Sequence, residues 1–218
     1  MSSSASDMSS LADETRWLDA TDQAALVRSG EVTPLELLDA AIERIERIDP
    51  ALNAVVIRWF DAARATAAGP LPEGPFRGVP TLLKDLWAHF AGQPLTNGNQ
   101  ALKDVMPVSA ADTTLVARYR AAGFVIAGRT NSPEFGSLPA TEPTAWGATR
   151  NPWNTDHSPG GSSGGAAAGN SNPRALSRSS AVSAIVSGPP IRVCFKPHPF
   201  GRAAATLQWP ASGLEFRA

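Results

Sequence analysis

Several things are scarce in this chain, and each scarcity closes a route. Among 218 residues there are one cysteine, one tyrosine and three histidines. The lone Cys194 excludes an internal disulfide framework and suits a reducing cytoplasm, where the chain is expected to reside. His89, His157 and His198 stand at no metal-ligand spacing, and no serine–histidine–aspartate order is present, so neither a metal nor an organic cofactor is expected. A serine hydrolase built on this chain would need a lysine as its base. No apolar run approaches the length of a membrane span. The opening "MSSSASDMSS" has neither a basic n-region nor an apolar h-region, and residues 1–15 are read as a disordered leader rather than a signal peptide.

Charge is also scarce: the net value is −1, which gives no electrostatic case for nucleic acid or an anionic membrane as partner. The average hides a seam. Beyond position 168 the only acidic residue is Glu215, against six basic ones (Arg174, Arg178, Arg192, Lys196, Arg202 and Arg217). The tail is rich in alanine, serine, proline and arginine. Three segments follow: the leader, a main body over 16–168, and a divergent tail over 169–218.

What the body does contain is helix–strand alternation. "DATDQAALVRSG" reads as a short helix with Gly30 as its stop. "TPLELLDAAIERIERIDP" is the clearest helix. Thr33 and Glu36 make a capping box, Pro34 occupies the first helical position, and Pro50 is expected to close it. Leu38, Ala41, Ile42, Ile45 and Ile48 recur at helical spacing as its apolar face. "LNAVVI" reads as a strand, "WFDAARATAA" as a helix ending at Gly69, and "VPTLLKDL" as a buried strand with one charged residue near its end. "DTTLVARYRAAG" is a capped helix, "FVIAG" a strand, and "SPEF" a second helical start. The pattern predicts an α/β layered domain, its sheet covered by helices.

Two features carry chemistry. The loop "SPGGSSGG" sets four glycines around Ser162 and Ser163. A bare glycine–serine run is most often a flexible linker. This one is short and flanked by Pro152, Trp153 and Pro159, which stiffen it. A phosphate-cradling loop would need lysine and then serine or threonine after the last glycine, where Ala166 stands. The second feature is Lys84 within "RGVPTLLKDLWAHF". It is either a strand-end lysine snorkelling to water or a buried functional amine. Burial disfavours the charged form, which is how a lysine becomes a base near neutral pH. Asp85 is expected on the opposite face of the strand, leaving Lys84 without a neutralising neighbour.

In order and spacing, "GVPTLLKDL", "ADTTLVARYRAAGFVIAGRTNSPEFG" and "TRNPWNTDHSPGGSSGGAAA" closely resemble the amidase signature family, over about Asp19 to Ala168. The resemblance implies an α/β fold with a mixed sheet wrapped in helices. It also implies hydrolysis of a small-molecule carboxamide to a carboxylate and ammonia or an amine, without a cofactor. The family uses a nucleophilic serine, a second serine in a cis peptide bond, and a lysine. By position, Lys84 would be the ultimate base and Ser162 the bridging serine, while Thr96 to Asn99 fall where the family lines its active site.

The chain departs from the family at the third catalytic residue. A Gly-Gly-Ser-Ile-Arg-like turn should follow the alanine-rich helix, and its nearest echo is "SGPPIRV". Matched on Ile191-Arg192, the nucleophile position holds Pro190 and the preceding glycine becomes Pro189. Proline has neither a hydroxyl to attack with nor an N–H for an oxyanion. Ser183 and Ser187 are nearby hydroxyls outside the expected glycine context. Family chains are also considerably longer. The expectation is therefore a truncated or frame-disrupted amidase, its fold incomplete and the chain inactive as it stands. The alternatives are a non-catalytic remnant with an exposed sheet edge and a fragment of an amidotransferase A-type subunit. The sequence says nothing of oligomeric state.

Overall fold

The computed structural model describes residues 11–169, 194–196 and 204–206. The chain divides into two units, Met1–Leu176 and Ser177–Ala218.

Capping chemistry sets the early helices of the first unit. Asp19 accepts from the N–H groups of Thr21 and Asp22 to open α1 (Ala20–Ser29), and Gly30 closes it in the left-handed conformation. Helix α2 (Pro34–Leu52) begins with the expected reciprocal Thr33–Glu36 box. It does not stop at Pro50, which lies inside it. Proline's fixed φ is compatible with helix, and the real stop is Asn53, left-handed at φ 51° with its N–H on the Asp49 carbonyl. The buried Asp49 carboxylate then accepts from the N–H groups of Ala54 (2.7 Å) and Val55 (3.0 Å) and pairs with Arg58 at 2.5 Å. The chain is thereby turned directly into the first strand. The inward face of α2 is Leu37, Leu38, Ala40, Ile42 and Leu52, whereas Ile48 is exposed.

Strands β1 (Val55–Arg58), β2 (Pro80–Lys84) and β3 (Val125–Thr130) form a mixed sheet in the order β1-β3-β2. β1 runs antiparallel to β3, and β2 parallel to it. Helix α3 (Phe60–Ala68) follows β1, and the β2–β3 crossover carries α4 (Gln100–Val105) and α5 (Thr114–Ala121). The α/β class with a mixed sheet and covering helices is thus as expected. All six residues of β3 are buried, as befits the strand with a neighbour on each side. One cluster joins Leu38 and Ile42 of α2, Ala63 and Ala67 of α3, Val116 of α5 and Ile57, Leu83 and Val125 of the sheet. Each fully buried large aliphatic side chain contributes about 1.5–3 kcal/mol.

Two expectations are corrected here. Residues 11–15, assigned to the leader, are helical. Ala12 and Thr15 are buried, and Arg44 donates to the Ala12 carbonyl and to Thr15 Oγ1, each at 2.8 Å. "SPEF" starts no α-helix but a single 3₁₀ turn, Glu134–Gly136, in which Phe135 is left-handed (φ 49°). A residue in that conformation cannot propagate a right-handed helix. In the second unit, β4 (Cys194–Lys196) and β5 (Ala204–Thr206) pair antiparallel.

Candidate active site

The sheet brings Lys84 to a fixed place. Lys84 ends β2, registered against Thr130 of β3, and the next N–H, that of Asp85, donates to the Thr130 carbonyl at 3.0 Å. Arg129 of β3 grips the same end of the strand. Its side chain is fully buried, with Nε on the Pro94 carbonyl and one terminal nitrogen donating to the carbonyls of Ala88 (2.8 Å) and Lys84 (3.3 Å). Burial pushes the Arg129 guanidinium down to about 10, against the opposing pull of Asp85.

Asp85 itself is fully buried and forms no ion pair with the lysine amine. Its carboxylate accepts from the Thr96 N–H (2.9 Å), the Gly98 N–H (3.0 Å) and the Thr96 hydroxyl. Thr96 to Gly98 therefore serve the anchoring of Asp85, and Trp146 Nε1 adds a 2.9 Å bond to Thr96 Oγ1.

The serine arrives from far along the chain. Asn131, at the end of β3, donates from its side chain to Gly147 and Thr149, and Thr149 Oγ1 donates in turn to the Asn53 carbonyl. These bonds lash an otherwise irregular stretch to the α2–β1 junction. Thr141, also fully buried, stitches the glycine loop: its hydroxyl donates to the Gly160 carbonyl (2.9 Å) and accepts from the Gly164 N–H (3.0 Å). Gly165 donates its N–H to Asn131. The Gly161–Ser162 peptide bond is cis. Helix α6 (Gly164–Gly169) follows.

Lys84 and Ser162 meet. Lys84 Nζ donates to Ser162 Oγ at 2.7 Å. Among the described residues, no ion pair includes Lys84. Desolvation lowers its pKa from the ordinary 10.5. The folded state favours the neutral amine, so below the shifted pKa the charged group carries the full burial penalty. Stability should rise with pH through the window that ends at 10.5, and fall as pH drops through the shifted value. Urea midpoints of the wild type relative to Lys84→Met, compared between neutral pH and that upper limit, check this. A constant difference between the two proteins would contradict it.

The other candidates are not drawn in. His89 Nδ1 lies 3.2 Å from Ser109 Oγ, and His157 is exposed on a turn. Ser183, Ser187, Pro189, Pro190 and His198 lie outside the described residues. Among the described residues no cluster of histidine, cysteine and carboxylate side chains could hold a metal, and no helix is long and apolar enough to cross a membrane. Arg129 and Thr141 escaped the sequence reading. Arg129 carried the same signal as Lys84, a charge inside an apolar strand, while nothing in the sequence marks Thr141.

The fold and this pair define an α/β protein with a serine–lysine contact at the end of a strand running parallel to its neighbour. The amidase family model matches residues 36–169. The 6-aminohexanoate-cyclic-dimer hydrolase of Paenarthrobacter ureafaciens is 50% identical over 152 residues, covering 70% of this chain and 30% of that protein. A solved structure of 6-aminohexanoate cyclic dimer hydrolase superposes with a TM-score of 0.67 at 50% identity, over 70% of this chain and 31% of that one. A bacterial aryl acylamidase of the amidase signature enzymes gives 0.64 at 40% identity, over 70% and 33%. The chain belongs to the amidase signature family. It spans about 30% of the length of the first of these relatives.

Proposed function

We propose that this chain carries the base-and-relay part of an amide hydrolase. Lys84 is the ultimate base, and Ser162 passes a proton between that amine and an attacking hydroxyl. In the forward step Ser162 Oγ gives its proton to Lys84 Nζ and takes one from the nucleophile as it adds to the carboxamide carbon. The reverse transfer then protonates the departing amine. The 2.7 Å contact between Lys84 Nζ and Ser162 Oγ supports this most directly, because proton transfer needs hydrogen-bond reach before any tuning of pKa matters. The lowered pKa of Lys84 favours the form that can accept a proton.

The attacking hydroxyl is not among the described residues. By sequence its position holds Pro190, so the chain as it stands is expected not to turn over an amide by this route. The substrate class is a small carboxamide, and the similarity to a cyclic-dimer hydrolase makes that cyclic amide the first one to try.

The test is a chimera joining residues 1–168 to the C-terminal remainder of the 50% identical hydrolase. Turnover of the cyclic amide is expected, falling by about 10²–10⁴-fold in Lys84→Met and comparably in Ser162→Ala. Turnover indifferent to Lys84→Met would overturn the assignment. A non-catalytic remnant is the second reading, favoured by Pro190 at the nucleophile position. The chimera replaces the tail that carries Pro190, so this reading is tested on the native chain: turnover of the cyclic amide by the native chain would overturn it.

A further inference from the structure

We propose that Lys84 and Ser162 also form a self-sufficient dyad in this chain, in which Ser162 Oγ is itself the nucleophile toward activated acyl esters and Lys84 is its base. The inference uses the same pair as the relay reading but requires no attacking group from elsewhere. Serine–lysine pairs of this kind act as nucleophile and base on unrelated folds.

Four observations carry it. The two groups are within proton-transfer reach at 2.7 Å. Lys84 Nζ is the one hydrogen-bond partner of Ser162 Oγ among the described residues, and none of these competes with it for the hydroxyl. Among the described residues no carboxylate pairs with the amine, and Asp85 is held by Thr96 and Gly98. The serine is reachable: Ser162 is partly exposed, between exposed Gly161 and Ser163. Desolvation of Lys84 acts in the same direction, raising the share of neutral amine.

The step balances without a co-reactant. Ser162 Oγ adds to the ester carbonyl carbon as its proton passes to Lys84 Nζ. The carbon–oxygen bond to the leaving group breaks, and a stabilised phenolate departs with the electron pair. Lys84 then loses that proton to solvent. Water adds to the acyl carbon as one of its protons passes through Lys84 to Ser162 Oγ. The bond from the acyl carbon to Ser162 breaks, and the acyl group leaves as a carboxylic acid.

The surroundings also set the limits of this activity. The N–H groups of Gly164 and Gly165, just beyond the serines, are already given to Thr141 Oγ1 and the Asn131 carbonyl. They cannot stabilise a developing oxyanion, an effect typically worth about 10²–10³-fold per donor. The dyad should therefore accept activated esters but not carboxamides, and should hold the acyl group long enough for it to be trapped.

The full chain, incubated with p-nitrophenyl acetate, is followed by phenolate release, intact mass and peptide mapping. A single fast acylation on the peptide carrying Ser162 is expected, with a rate that climbs with pH as Lys84 loses its proton. Ser162→Ala should abolish it, Ser163→Ala should leave it, and Lys84→Met should slow it by about 10²-fold or more while flattening the pH profile. Circular dichroism verifies that each variant is folded. Acyl groups on Lys84, on Ser163, or scattered over surface amines at the Ser162→Ala rate would overturn the proposal. A chimera that hydrolyses amide through Lys84 and Ser162, beside a native chain that takes no label, would retain the relay and eliminate the dyad.

Discussion

Replacing Asp85 by alanine should destabilise the folded domain by about 3–5 kcal/mol, the range for removing one member of a buried, hydrogen-bonded charge arrangement. The carboxylate is fully buried and accepts from three donors, the N–H groups of Thr96 and Gly98 and the Thr96 hydroxyl. Without it these donors are stranded, each at a cost of about 1–3 kcal/mol if no water enters. Arg129, also fully buried, loses the one anion that favours its charged form. Asparagine should do little better, since its amide NH₂ faces groups that also donate. Urea unfolding at neutral pH measures the effect. A change within about 0.5 kcal/mol, ordinary for an inconsequential surface site, would mean that the Asp85 cluster does not anchor the Lys84 strand.

The second large effect is expected at Gly165. A methyl group there would lie 2.4 Å from the Asn131 nitrogen and 2.7 Å from the carbonyl oxygens of Ala54 and Asn131. All three are backbone atoms, two at the end of β3 and one just before β1, and none can swing aside as a side-chain tip would. Gly165→Ala should therefore push the serine loop off the sheet, costing about 1–3 kcal/mol or more, or about 2–4 °C of melting temperature per kcal/mol for a domain this size. Gly169 is the internal control, because a methyl group there meets nothing within 4 Å among the described residues. A thermal melt in which both alanine variants match the wild type would show that the close approach at Gly165 is not required.

How much of this was legible follows from where the stabilising interactions lie. Helices α1 and α2 were readable because their ends are written in side chains: Asp19, the Thr33–Glu36 box and Gly30. β3 was readable as an apolar run because it is buried throughout. Helix α4 passed unnoticed, since it has six residues, none of them buried, and so no apolar period. Ile48 fitted the spacing of α2 yet is exposed, because in the last turns the inward positions are taken by Asp49 and Leu52. Between Asn131 and Ser163 the sequence offered only "SPEF" and the serine loop, and nothing of how the stretch is held in place. It is held by side chains bonded to distant backbone, as in Asn131 to Gly147 and Thr141 to Gly160, and no periodicity records such bonds. Lys84 and Ser162 were linked only through the family resemblance. Spacing alone offers no reason for residues 78 positions apart to meet.

That separation has a consequence during synthesis. A ribosome must extrude the strand bearing the amine, then the crossover and the whole irregular stretch, before the hydroxyl emerges. Closing so long a loop is repaid only by contacts made after the sheet has assembled. A nascent or partly folded chain therefore holds two ordinary side chains, and any reactivity of the pair arrives with the finished tertiary structure.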